Sequence, residues 1–239
     1  AGVSEPTVIR FCTAIGCDGF RGMRVKLARS LAFARTTSHT AISDADDLET
    51  VITKIFDFNL SNLNWARSHL DPAQVAQAVD VLVAARRIEF FGFGASGIVA
   101  IDAQQKFPLF GVPCGAPVDS HQMFMTAEMM KPGDVVVAIS NTGQTREVIN
   151  ACKVAREKGA EVIAITGADG PLLRHATVRL VIETLENTDL FTPTVSRLTQ
   201  LVVIDILSVM VSLRRDEAHH ERIAEMKSRL ATLRSTGNY

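Results

Sequence analysis

Ser140, Thr142 and Thr145 surround Gly143 in the stretch VVVAISNTGQTREVI. Three hydroxyls can donate to phosphate oxygens. The glycine lets the backbone come close to a ligand, and successive N–H groups at the start of a helix form a nest for an anion. No lysine lies in this loop and GxxxxGK[ST] is absent, so it is not a P-loop. A second loop, GFGASG at 92–97, also follows an apolar run. It matches G-x-G-x-x-G between a strand and a helix, with Asp119 at about the distance of the ribose-binding acid of a dinucleotide fold. A dinucleotide fold does not require the hydroxyl-rich second loop. A compact phosphorylated ligand held between two loops uses both.

Alternating short apolar runs and helical patterns position these loops. RIEFFGF, VPCGAPV, DVVVAIS, EVIAIT and ATVRLVI read as strands. Helices are expected over about 97–110, over QMFMTAEMM, and over about 145–158, 194–213 and 217–235. The fold class is therefore α/β: a five-stranded parallel sheet with helices on both faces. Ligands of such sheets bind at the carboxyl ends of the strands, where both loops lie. Upstream, a helix is expected from about 47 to 69 and another after Pro72. Residues 36–46, TTSHTAISDAD, read as a linker.

The pair GFGASG and SNTGQT, with GDVVVAIS and KGAEVIAITG, resembles the sugar isomerase (SIS) domain over roughly 85–215. The resemblance implies that Ser140, Asn141, Thr142, Gly143 and Thr145 hold a phosphate, and that Gly94, Ala95 and Ser96 line the sugar side.

VSEPTVIRFC, followed by GF and a basic helix, is similar to the turn and recognition helix of RpiR-family transcription regulators, which join a helix-turn-helix to an SIS domain in this order. Val8, Phe11, Cys12 and Ile15 form the apolar face of a helix over 4–15, with Ser4 as its N-cap and Pro6 in the first turn. Ser4, Glu5, Thr7 and Arg10 could face DNA, Arg10 on a guanine edge or a phosphate. Arg21, Arg24 and Lys26 are candidate backbone contacts. The family's motif begins upstream of Ala1, so residues 1–35 read as a partial helix-turn-helix, 36–84 as linker and helical lead-in, and 85–239 as the SIS domain. The first residue is not Met and no signal-peptide layout follows, which reads as a chain beginning partway into something.

Composition agrees with this reading. A net charge of −1 hides six basic and two acidic residues within 1–35, against 19 basic and 24 acidic in the remainder. A basic end on an acidic protein suits nucleic acid. Cys12, Cys17, Cys114 and Cys152 form no CxxC and read as buried thiols in a reducing cytoplasm. The histidines have no metal-ligand spacing, and no cofactor or metal is expected. No uninterrupted apolar run is long enough to suggest a membrane span.

Three functions remain open, one of them a nucleotide-binding oxidoreductase resting on GFGASG. As a regulator, the family resemblance implies a phosphosugar effector such as 2-keto-3-deoxy-6-phosphogluconate of the Entner–Doudoroff pathway, operator DNA as partner, repression of hexose metabolism, and no enzyme activity. The helix at 47–69 would relay between the sensor and DNA. As an aldose–ketose phosphosugar isomerase, the chain needs a general base, and Glu128, Glu183, Glu186, His121 and His175 are the candidates. Met123, Met125, Met129 and Met130 read as adaptable core or interface packing. PTVSRLTQLVVIDILSVMVSL is too apolar for the surface of a monomer and suits a homodimer, with Ser196 and Arg197 helping to close the pocket.

Overall fold

The computed structural model describes residues 2, 4–15, 17–24, 27, 42–107, 111–184 and 194–235. The chain divides into two compact units, Ala1–Trp65 and Ala66–Tyr239.

The first unit opens with helix α1, Glu5–Ala14. Pro6 sits in its first turn, where its missing N–H costs nothing. The expected cap is not made: the Ser4 hydroxyl bonds the Thr7 hydroxyl at 2.9 Å instead of a backbone N–H. Residues 19–24 include a second helical stretch. Lys26 and the linker residues 36–41 lie outside the described residues. Helix α2, Leu48–His69, starts on Asp47, whose carboxylate accepts from the Thr50 N–H at 2.8 Å.

The second unit is an α/β layer structure. Helix α3, Pro72–Val83, is capped by Asp71 on the Ala73 N–H. Then follow β1 (Arg87–Phe91), α4 (Gly94–Lys106), β2 (Cys114–Gly115), α5 (Ser120–Glu128), β3 (Asp134–Ile139), α6 (Arg146–Glu157), β4 (Glu161–Thr166), a 3-10 turn (Pro171–His175), β5 (Val178–Val181), α7 (Val195–Leu213) and α8 (Glu217–Ser235). The five strands are parallel in the order β2-β1-β3-β4-β5. Every residue of central β3 is buried, which is why DVVVAI is apolar nearly throughout rather than alternating.

Two apolar layers sandwich the sheet. Ile88, Phe90, Val135, Val137 and Ile163 face α3, α4 and α7. Phe91, Val136, Ala138, Val162 and Ala164 face α5 and α6. Val148, Ala151, Cys152 and Ala155 of α6 are buried at helical spacing, so that helix needs only one stripe of contact. Met123 and Met130 are in the core while Met125 and Met129 are exposed, so the methionines serve both packing and surface.

Helix α4 begins three residues earlier than the sequence pattern suggests. Gly94 has φ +56°, a left-handed conformation that turns the chain from strand into helix at once. Helix α7 is long and apolar enough by composition to cross a membrane. Here Val203, Ile204, Leu207 and Val211 bury one of its faces in the sheet core.

Candidate ligand site

The strand order reverses between β1 and β3: β2 lies on one side of β1 and β3 on the other. Phe91 pairs with Ala138, so the chain leaves the sheet at Gly92 and at Ser140 on neighbouring strands. The two loops singled out in the sequence therefore start side by side at the switch point, where open α/β sheets bind ligands.

The 140–145 loop is braced from below. The Ser140 N–H donates to the Ile165 carbonyl of β4 at 3.0 Å, and the Gly143 N–H to the Ser140 carbonyl at 3.1 Å. The Asn141 carbonyl accepts from Gly167 N–H at 2.8 Å, and that of Gly143 from Leu172 N–H at 3.1 Å. Gly143 has φ +62°, and a Cβ there would meet the Thr166 hydroxyl at 3.0 Å. Glycine is required by both conformation and space. The Ser140 hydroxyl is buried and lies 3.0 Å from that of Thr145. Thr145 is the N-cap of α6, yet its side chain caps no N–H. Two hydroxyls thus face each other at a helix N-terminus whose first N–H groups have no intrahelical acceptor. Asn141 and Thr145 are half-buried and Thr142 is exposed.

The 92–97 loop is shaped by close packing. A Cβ on Gly92 would lie 2.7 Å from the Ser96 carbonyl oxygen, so only glycine lets α4 start this near the strand. Gly94 is exposed, Ala95 half-buried and Ser96 buried. The Ser96 hydroxyl bonds the Gln200 side-chain oxygen on α7 at 3.2 Å. Asp119, the acid that the dinucleotide pattern would need, is the N-cap of α5 and accepts from the Gln122 N–H at 2.9 Å.

A narrow crevice, with no room for a water molecule, lies beyond the 140–145 loop. Asn141, Thr166, Thr184, Ser196, Thr199 and Gln200 supply its polar lining. The Thr184 hydroxyl is 3.5 Å from the Asn141 side-chain oxygen. Ser196 is part of this lining, but Arg197 is not. Thr199 and Gln200 were not evident in the sequence, where they sit inside a long apolar pattern. Their signal is polarity on the buried side of α7: both are at least 96% buried.

The candidate bases are dispersed. Glu128 is paired with Lys158 at 2.7 Å. His121 is exposed, and His175 and Glu183 are half-buried. None of these four lines the crevice. Glu186 lies outside the described residues. Among the described residues no cluster of His, Cys, Asp and Glu could hold a metal.

In the first unit Ser4, Glu5, Thr7 and Arg10 are all exposed on or beside α1. Of the apolar face expected opposite them, Cys12 is buried and Val8 half-buried. Phe11 and Ile15 remain 59% and 49% exposed. The exposed cationic Arg21 and Arg24 follow in the next helical stretch.

Comparison with known proteins agrees with both halves. Residues 81–210 match the SIS domain model, and residues 1–34 match the helix-turn-helix domain of the rpiR family. The HTH-type transcriptional regulator HexR of Pseudomonas aeruginosa is 42% identical over 228 residues, covering 94% of this chain and 80% of that protein. HexR of Escherichia coli is 40% identical over 230 residues, 96% of this chain and 80% of its own length. Among solved structures, the Vibrio vulnificus NanR protein complexed with ManNAc-6P superposes with a TM-score of 0.70 at 24% identity, over 97% of this chain and 82% of that one. That likeness is one of fold.

Proposed function

The chain belongs to the RpiR family of helix-turn-helix regulators with an SIS domain, and from that premise we propose that it is a phosphosugar-sensing repressor of hexose catabolism. Its family places it among transcription regulators of carbohydrate metabolism. The effector in this reading is a phosphorylated sugar acid, 2-keto-3-deoxy-6-phosphogluconate. The observation that carries the reading is the facing pair Ser140 and Thr145, 3.0 Å apart at the start of α6. Their hydroxyls and the helix N–H groups are donors suited to a phosphate dianion. Asn141, Thr142 and Gly143 complete that loop, and Gly94, Ala95 and Ser96 border the sugar. The crevice is lined by hydroxyls and amides, with no carboxylate or imidazole among its described residues to move a carbon-bound proton. That favours a sensor over an isomerase.

DNA contact is assigned to Ser4, Glu5, Thr7 and Arg10, with residues 1–35 as the reading module, 36–84 as connector and 85–239 as sensor. A homodimer in the cytoplasm would present two such modules to a two-fold operator. Its sensor interface would use Ile98 and Ile101 of α4 and Val202 and Val209 of α7, all at least 41% exposed. Calorimetric titration of the chain with 2-keto-3-deoxy-6-phosphogluconate, with electrophoretic retention of DNA selected by the same chain, tests the reading. The expected result is saturable effector binding that releases the DNA. Failure of phosphosugars to bind, or binding that leaves DNA affinity unchanged, refutes it, since an effector acts only through different affinities for two states.

A further inference from the structure

Helix α7 carries two buried donors that no described residue uses. Gln200 is 4% exposed and Thr199 is 2% exposed, and both line the crevice. The Gln200 Nε2 and the Thr199 Oγ1 have no hydrogen-bond partner among the described residues. Orphaned buried polar atoms are costly and uncommon, and a ligand is a standard reason for keeping them. The amide is held at its other end by the Ser96 hydroxyl at 3.2 Å. That bond ties α7 to the 92–97 loop. Ser96 is placed on the sugar side of the site, whereas Asn141 joins the same crevice to the phosphate loop.

We infer that Gln200 and Thr199 form the acid-reading end of the site, donating hydrogen bonds to the carboxylate of a sugar acid whose phosphate sits on the 140–145 loop. The inference rests on the phosphosugar reading of that loop. Two residues lining the crevice thus carry three unmatched donor hydrogens, two on Nε2 and one on Oγ1, and no anionic side chain is in the lining. An acceptor-only carboxylate satisfies them all. An alcohol satisfies them less well, because it brings a donor of its own. Neutral donors also explain how a carboxylate could be held with no arginine or lysine in the lining. The crevice must widen for this contact, since it has no room even for water in this state.

The test uses three probes against the full chain: inorganic phosphate, 6-phosphogluconate, and glucitol 6-phosphate, which replaces the carboxylate by an alcohol. The wild type is expected to bind 6-phosphogluconate more tightly than glucitol 6-phosphate by roughly 10-fold or more, the range for a hydrogen bond to a charged group. Gln200→Leu, and separately Thr199→Val, should erase that preference while leaving inorganic phosphate binding intact. Thr199→Val should not lower the melting temperature, because it removes an unmatched hydroxyl, whereas Gln200→Leu also removes the bond from the buried Ser96 hydroxyl and should lower it modestly. A merely structural Gln200 would instead weaken all three probes alike, inorganic phosphate included, and that result overturns the inference. So does equal affinity of the wild type for acid and alcohol, or an unchanged preference in both variants. If the wild type binds none of the three, the phosphate reading itself fails and takes this inference with it.

Discussion

Ser140→Ala separates the loop's structural role from its proposed ligand role. The loop backbone does not depend on the hydroxyl: Ser140 is held by its N–H on Ile165 and by its carbonyl under Gly143. The substitution removes one side-chain hydrogen bond, to Thr145 at 3.0 Å. Thr145 is half-buried and can turn to solvent, so the loss in stability should be about 1 kcal/mol. For a domain of this size that lowers the melting temperature by about 2–4 °C. The ligand loses more. A hydrogen bond to a charged group contributes about 1.5–3 kcal/mol, so the dissociation constant should rise by roughly 10- to 150-fold. Calorimetry with inorganic phosphate and with 6-phosphogluconate should show the same factor for both, because the lost donor addresses the group they share. Adding Thr145→Ala should cost less than its effect alone, since the two hydroxyls position one another. An unchanged affinity for both probes, or a loss confined to the sugar acid, would refute the assignment of phosphate to this pair.

Gly143→Ala should destabilise the protein by about 1–2 kcal/mol from the left-handed backbone alone, with a further penalty from the 3.0 Å approach to Thr166, and should weaken phosphate binding in the same titration. Glu89 is buried in β1 beside Arg87, and burial raises its carboxyl above the ordinary glutamate range despite the arginine. The folded state then holds that proton more tightly than the unfolded one, so its contribution is present in acid and lost as pH rises through the raised value. Thermal melts from about pH 4 to about pH 8 should show Glu89→Gln removing this downward component, and an unaltered profile would count against it. Burial, with Glu89 nearby, pushes the Cys114 thiol up to about 12, and burial pushes Cys152 up as well. Mass spectrometry after iodoacetamide treatment near neutral pH should therefore find both unmodified in the native protein and both alkylated after unfolding. Val202→Glu on the exposed side of α7 should shift sedimentation towards monomer, whereas an unchanged sedimentation coefficient would remove this face from the interface.

Legibility in the sequence followed the range of the forces involved. Four of the strands were readable because each is a short, mostly apolar run, β3 most plainly, whereas β2 pairs over Cys114–Gly115 alone. The loops were readable because glycine and hydroxyl residues there answer to local needs: the φ of Gly143 and the approach of Gly92 to Ser96 are set within a few residues. The start of α4 was misplaced because a positive-φ glycine inside a strand–helix turn resembles loop chemistry. Ser4 was a sound cap by type, but Thr7 competes for its hydroxyl. Asp119 looked like a ribose ligand by spacing alone, and only the fold shows it occupied as a cap. Gln200 was illegible for a different reason. Its significance lies in the contact with Ser96, 104 positions away, and no local pattern encodes that meeting.

The same helix now connects three observations that the sequence kept apart. Ser196, Thr199 and Gln200 lie in its first turns and line the crevice. Val203, Ile204, Leu207 and Val211 lock it onto the sheet core. Val202 and Val209 face outward with α4's Ile98 and Ile101. A continuous helix is stiff over this length, so widening the crevice for a ligand must either move α7 or bend the 140–145 loop away from it. The loop is pinned to β4 and to the 3-10 turn by backbone hydrogen bonds from Ser140, Gly167 and Leu172. The outer face of α7 is the one proposed above for a second subunit, so a ligand that moves this helix should link its own affinity reciprocally to association.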